Sequence, residues 1–135
     1  MDGRKKTMEW GLREKELVKL LDKHRSDDGD FDCIVPVSGG KDGSYVAYNL
    51  KHKYGMNPLT VTWPPILYTS YGYKNFKNWI SSGRFSNISA RRDEGTMIKL
   101  TKLAVMNLMH PFQTFMLGQK NYPIQIALKK NIPLV

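Results

Sequence analysis

A short apolar strand that passes without a linker into a glycine-rich turn and then a helix constrains this chain most. The stretch is Asp32–Ser44, DCIVPVSGGKDGS, with the strand at Cys33–Val37 and a helix following over Tyr45–Tyr54. A strand that delivers such a turn to a helix N-terminus builds an anion site. Gly39 and Gly40 lack a Cβ, so the backbone can approach a phosphate and take positive φ. The first amides of the helix have no intrahelical acceptor, and the helix dipole favours negative charge beside them. Ser38 and Ser44 add hydroxyl donors, and Lys41 adds a cation that can meet a phosphate oxygen. A glycine turn that merely joins strand to helix seldom combines two glycines, two serines, a lysine and an aspartate.

Spacing excludes two better-known phosphate loops. Gly39-Gly40-Lys41 is followed by Asp42, which breaks the Walker pattern, and no Gly-x-Gly-x-x-Gly occurs. The remaining pattern, Ser-Gly-Gly-x-Asp-Ser/Gly, resembles the signature of the PP-loop ATP pyrophosphatases.

Composition bounds the rest. A length of 135 residues, with 41% hydrophobic and 24% charged residues, suits one globular domain with a real core. No apolar run approaches membrane-spanning length, and the N-terminus has charge but no apolar signal segment. Cys33 is the single cysteine, which excludes an internal disulfide and multi-cysteine metal sites and fits a reducing cytoplasm. The net charge of +9 is uneven: from Gly43 onward twelve Lys/Arg face two acids, Asp93 and Glu94. Such a surplus attracts polyphosphate, nucleic acid or an acidic partner, or is simply a basic solvated surface. The aromatic-basic periodicity of a single-strand binding platform is missing.

Along the chain, residues 1–7 read as a charged, frayed start. A helix is predicted over Met8–His24, with Trp10, Leu17, Leu20, Leu21 and His24 on one face. His24 reads as a helix-end residue, Arg25–Asp32 as a turn, and Cys33 as a small buried hydrophobe. Val46, Ala47 and Leu50 point inward from the next helix, which Gly55 caps. Leu59–Trp63 is a second strand, stopped by Pro64-Pro65. This strand–helix–strand unit should be parallel, which puts Thr62 and Trp63 beside the Ser38 turn at the ligand-binding edge. Trp63 can flank an adenine there or serve as core or lid.

Beyond an irregular Ile66–Gly72, a helix is predicted over Lys74–Ser82, a weak strand over Ser86–Ala90 and an apolar helix over Met97–Met109. Asp93 or Thr96 caps that last helix, whose Met97, Leu100, Leu103, Ala104 and Leu108 are read as core. Phe112–Leu117 is a fourth strand, closed by a Gly118-Gln119 turn that makes a candidate second ligand loop. Pro123 suits an early helical position, and Ile132–Val135 is a fifth strand. The sum is an α/β fold, an open, mainly parallel five-stranded sheet with helices on both faces. It divides into an N-terminal helix and turn at 1–31 and a nucleotide-binding domain at 32–135. Ending in a buried strand, the chain reads as one lacking a C-terminal half.

The string CIVPVSGGKDGSYVAYNLKHKYGMNPLTVTW at residues 33–63 resembles the N-acetyl sugar amidotransferases of bacterial surface-glycan biosynthesis, a branch of the PP-loop superfamily. Tyr71–Asn78, the Gly118 turn and Ile126–Val135 look like the same family. Three features depart from it: the usual N-terminal cysteine-pair segment is missing, family members usually continue past the IPLV ending into a C-terminal half, and Gly43 separates Asp42 from Ser44.

The resemblance implies a Rossmann-like adenine nucleotide alpha hydrolase fold, with magnesium-bound ATP as cofactor. Its β,γ-pyrophosphate would lie on Ser38, Gly39, Gly40, Lys41, Asp42, Gly43 and Ser44, and its adenine near Val37, Thr62 and Trp63. Gly118 and Gln119 would close the site. Lys41 and Asp42 would be catalytic, with Asp42 holding magnesium or, alternatively, capping the helix. The acetamido oxygen of an N-acetyl sugar attacks the α-phosphorus, pyrophosphate leaves, and ammonia displaces AMP to give an acetamidino sugar. Cys33 is badly placed for glutamine hydrolysis, so a separate glutaminase subunit is expected to supply the ammonia. Two other readings stay open: a PP-loop tRNA-modifying enzyme, and a non-catalytic ATP-binding module.

Overall fold

The computed structural model describes residues 8–135, so the frayed start expected over residues 1–7 lies outside the described residues. The element order is α1 (Trp10–Lys23), β1 (Cys33–Pro36), α2 (Lys41–His52), β2 (Pro58–Thr62), α3 (Ser70–Gly83), β3 (Asn87–Ser89), α4 (Glu94–Leu108) and α5 (Gln113–Lys130). The strands form a parallel sheet in the order β1-β2-β3, with Ile34 opposite Leu59 and Val61 opposite Ile88.

Both faces of the sheet are covered, which explains why the strands are nearly continuous apolar runs. Alternate residues of β1 serve the two faces. Cys33, Val35 and Val37 pack with Leu21 of α1, Ala47 of α2 and Phe85, joined by Phe76, Trp79 and Ile80 of α3. Ile34 packs with Leu59, Val61, and Ile126 and Ala127 of α5 on the other side. Cys33 is thus the small buried hydrophobe expected, 1% exposed. At the close of the preceding turn, the buried Asp32 carboxylate accepts from the backbone N–H groups of Ser26 and Asn57, tying the turn to β2.

The second half of the chain corrects the sequence reading. Among the described residues the sheet has three strands, not five. Phe112–Leu117, expected as a strand, is the start of the eighteen-residue helix α5. Gly118 and Gln119 are therefore helical, not a turn, and Pro123 lies inside the helix instead of near its start. Ile132–Val135 runs beside β1 with one hydrogen bond, from the Ile34 N–H to the Leu134 carbonyl at 2.8 Å, too few for a ladder. Ile132 packs on the α5 side and Leu134 on the α2 side, opposite sides for residues two apart, which is not the alternation of a strand.

Three helices bury less than their sequence pattern suggests. Helix α1 buries Leu21 alone, and Trp10, Leu17 and Leu20 face solvent. On α2, Val46 is exposed while Ala47 is fully buried. Helix α4 begins at Glu94, where the Asp93 carboxylate caps the Thr96 N–H at 2.7 Å. Of its expected core residues only Ala104 is buried; Leu100, Leu103 and Leu108 are exposed.

Candidate functional site

The turn between β1 and α2 is built from its ends inward. The Val37 N–H donates to the Val61 carbonyl at 2.9 Å, which holds the chain in the sheet up to the last residue before the turn. Gly39 then takes φ +85°, a conformation L side chains rarely adopt. A Cβ at Gly39 would stand 3.0 Å from the Cβ of Phe76, so α3 backs the turn as well. Gly40 is the N-cap of α2, without a side-chain cap. Helix α2 lies close over the strand it follows: a Cβ on Gly43 would come within 3.0 Å of the Pro36 carbonyl oxygen.

The consequence for hydrogen bonding is specific. Among the described residues, none of the amides from Ser38 through Gly43 donates to a protein acceptor; the first to do so is Ser44, to the Gly40 carbonyl at 3.2 Å. Six consecutive donors are thus left without a protein acceptor, three from the turn and three from the first turn of α2. This is the arrangement that suits a polyanion.

Side chains refine the picture. Ser38 is exposed, with no hydrogen-bond partner among the described residues. Ser44 is committed inward, its hydroxyl donating to the Gly40 carbonyl at 2.8 Å. Lys41 and Asp42 are exposed and enter no ion pair among the described residues. Asp42 is not the N-cap, since Gly40 holds that position; it stands in the first turn of α2. A carboxylate there complements the helix dipole but repels a phosphate at the same amides, unless a cation lies between them. Magnesium fits that demand, because it is commonly held by one or two carboxylates, substrate phosphates and water. No cluster of three or more His, Cys, Asp or Glu side chains exists among the described residues, so no all-protein metal cage is present there.

Beside the turn lies a cavity of about 200 Å³ lined by Pro36, Val37, Ser38, Gly43, Trp63, Gln119 and Pro123. Val37, Ser38, Gly43, Trp63 and Gln119 are therefore brought together as the sequence suggested, although Gln119 arrives on a helix. Thr62 is not available: it is fully buried, and its hydroxyl accepts from the Asn87 side-chain amide at 2.9 Å. Gly118 serves the site indirectly. The Trp63 indole packs against it, and a Cβ there would fall 2.1 Å from the ring. Tyr122 packs on the indole at a centroid distance of 5.7 Å, and the Arg92 guanidinium lies over it at 5.9 Å. The indole N–H is buried and finds no acceptor among the described residues.

Pro36, Phe76 and Pro123 went unread as site residues. Pro123 has no N–H, so the Gln119 carbonyl lacks its helical donor, and both residues line the cavity. The signal was present as a proline four residues after Gln119, but it carries meaning only once the helix is known to run through both. Outside the site, His24 Nδ1 sits 2.9 Å from the Leu20 carbonyl at the end of α1. Burial pushes the Cys33 thiol up to about 11, which leaves it a poor nucleophile.

Compared with models of known protein families and with the sequences of curated proteins, the chain matches none. Among the described residues no helix is long and apolar enough to cross a membrane.

Proposed function

We propose that this α/β chain is a PP-loop ATP pyrophosphatase that activates the acetamido carbonyl of an N-acetyl sugar for amidation in surface-polysaccharide biosynthesis in the cytoplasm. The observation that carries the reading is the run of six unpaired amides from Ser38 to Gly43 at the head of α2. Preorganised donors of this kind stabilise the charge that grows on a leaving pyrophosphate, with no reorganisation at the moment of reaction. Ser38 adds a free hydroxyl, and Lys41 a cation that follows the same charge. Asp42 would hold the magnesium that accompanies ATP, which would supply charge neutralisation for the phosphates. Val37 and Trp63 form the apolar wall on which the base would rest.

In the reaction, the acetamido oxygen forms a bond to the α-phosphorus of ATP as the bond to pyrophosphate breaks. Ammonia then adds at the activated carbon and AMP departs, leaving an acetamidino sugar. The ammonia comes from a separate glutaminase subunit in this reading, because Cys33 is buried in the core and its thiol is held protonated. Incubation with ATP, magnesium, ammonia and a nucleotide-linked N-acetyl sugar should release AMP and pyrophosphate, followed by phosphorus NMR. Ser38→Ala combined with Asp42→Ala should abolish that release; unchanged turnover in the double variant rejects the site.

One observation favours a second reading. The cavity beside the turn, at about 200 Å³, is smaller than the ~300–1,000 Å³ of ordinary ligand pockets, so it receives only part of a nucleotide. Such a cavity leaves the rest of the nucleotide uncovered, and ATP binding with no release of AMP in the same assay selects a non-catalytic ATP-binding module. The tRNA-modifying alternative draws on the basic charge alone, and RNA-dependent release of AMP would favour it.

A further inference from the structure

Helix α4 is apolar around most of its circumference yet packs along one narrow stripe. It rests against α5 and makes no comparable contact with the sheet. Ala104 is its one buried residue, and the Thr101 hydroxyl meets that of Thr114 at 3.4 Å across the pair. The opposite side carries Ile98, Val105 and Met106, spaced i, i+7 and i+8, so they share one outward stripe, and Met109 follows as the left-handed C-cap residue. Ile98 is 69% exposed, Met106 70% and Met109 88%; Phe112 extends the stripe into the turn before α5. A helix that is hydrophobic all round is ordinarily buried, and a contiguous apolar surface of this kind marks an interaction site.

Two more observations say what covers it. At the N-terminal end of the stripe a mostly apolar notch of about 380 Å³ opens between the Ile66-Leu67 segment and α4, walled by Met97, Ile98 and Thr101 with Arg92 and Glu94 also lining it. A notch beside a ridge is the shape that receives an anchoring side chain of a partner helix. Charge then selects the partner. Lys99 and Lys102 project on the outward side between the apolar positions, and Glu94, in the first turn, is the single acid of α4. Pairing α4 with α4 of a second copy would set those lysines against a helix equally without acids along its length, so that symmetric contact lacks complementarity.

We propose that the outward face of α4 docks an amphipathic helix of another protein, one whose apolar ridge is flanked by acidic residues. An aliphatic or aromatic side chain of that helix fills the Ile66–Thr101 notch, and its carboxylates meet Lys99 and Lys102. Arg92 lines this notch and lies over Trp63 of the cavity beside the turn, yet the proposal holds whether or not the Ser38–Gly43 turn binds ATP.

The test uses the full chain and two synthetic helical peptides with the same leucine ridge, one flanked by glutamates and one by lysines. Fluorescence anisotropy should show the glutamate peptide binding at least about tenfold more tightly, as expected for two favourable rim pairs. Met106→Glu should abolish binding, and Lys99→Glu with Lys102→Glu should invert the preference. Circular dichroism should show each variant folded, since the altered side chains are exposed. Equal binding of both peptides, or no binding of either, overturns the proposal. So does dimerisation in sedimentation velocity that Met106→Glu abolishes, because the face then belongs to a second copy. Binding to anionic vesicles lost in Met106→Glu, without peptide selectivity, assigns it to a membrane surface instead.

Discussion

The β1–α2–β2 unit and the α4–α5 hairpin have similar apolar content and opposite fates. In the first, Val35, Ala47, Leu59 and Val61 are all buried, and the site turn is braced by β1, α2 and α3 together. In the second, α5 joins the core through Ile126 and Ala127, whereas α4 leaves Leu103, Val105, Met106 and Leu108 in solvent. The first unit is covered by α1 and α3 on one face and α5 on the other, so its turn is held by packing on several sides. In the second, α4 leaves an apolar surface open to solvent. Hydrophobic content alone did not separate them; the number of elements available to cover each residue did.

The largest expected effect tests that contrast directly. Leu59→Ala, at a residue 2% exposed between β1 and α5, should cost about 2–5 kcal/mol in urea unfolding. Leu103→Ala, at 54% exposure on α4, should stay within about 0.5 kcal/mol. Equal costs would erase the distinction between the two regions.

Gly118→Ala comes next, because it sits where the hairpin meets the site. Alanine gains about 1 kcal/mol of helix propensity over glycine, but its Cβ would collide with the Trp63 ring, costing about 1–3 kcal/mol. A net loss of stability is expected, with a changed near-ultraviolet circular dichroism band as the indole shifts. An unchanged band with higher stability would mean that Trp63 is not seated on α5.

Cys33 offers a pH-dependent version of the same comparison. Burial raises its thiol from 9.0 to about 11, so the folded state binds the proton more tightly than the unfolded chain does. Its contribution to stability is present below pH 9 and is lost as pH rises from about 9 to 11. Cys33→Ala should lack that part of the alkaline decline in chemical denaturation curves. A disulfide reagent at neutral pH should label the folded protein only on the unfolding timescale.

The smallest effect concerns α1, a second sparsely buried helix. The Glu14 carboxylate pairs with Lys53 Nζ at 2.6 Å and accepts from the Tyr54 hydroxyl at 3.0 Å, bonds that hold it below the usual carboxylate range. Any stability it adds is present above the ordinary carboxylate value and lost as pH falls through the lowered one. The pair is exposed, so Glu14→Gln should speed amide exchange in α1 while leaving global unfolding nearly unchanged.

The sequence made the first unit legible because its signals were local and agreed with one another. An apolar run, a Ser-Gly-Gly turn and an amphipathic stretch all specified strand, turn and helix, and the structure places them at Cys33–Pro36 and Lys41–His52. The Asp93 cap was legible for the same reason. Phe112–Leu117 was misread because an apolar run bounded by Pro111 and Gly118 fits a buried strand as well as a helix. Its helix is settled by distant contacts. Gly118 is required under Trp63, fifty-five positions earlier, and Pro123 is accommodated where its ring lines the cavity. Such demands have no local signature. The burial of α4 was overestimated because periodicity shows which residues could share a face, not whether anything lies opposite.

Backbone amide shifts on titration with magnesium-ATP give the most direct reading of the site. The account predicts that the amides of Gly39, Gly40 and Gly43 move most in a nitrogen–proton correlation spectrum, with Lys41 and Asp42 close behind. Pyrophosphate alone should move the same set. Spectra in which those amides stay fixed while ATP binds elsewhere, or does not bind, would contradict it.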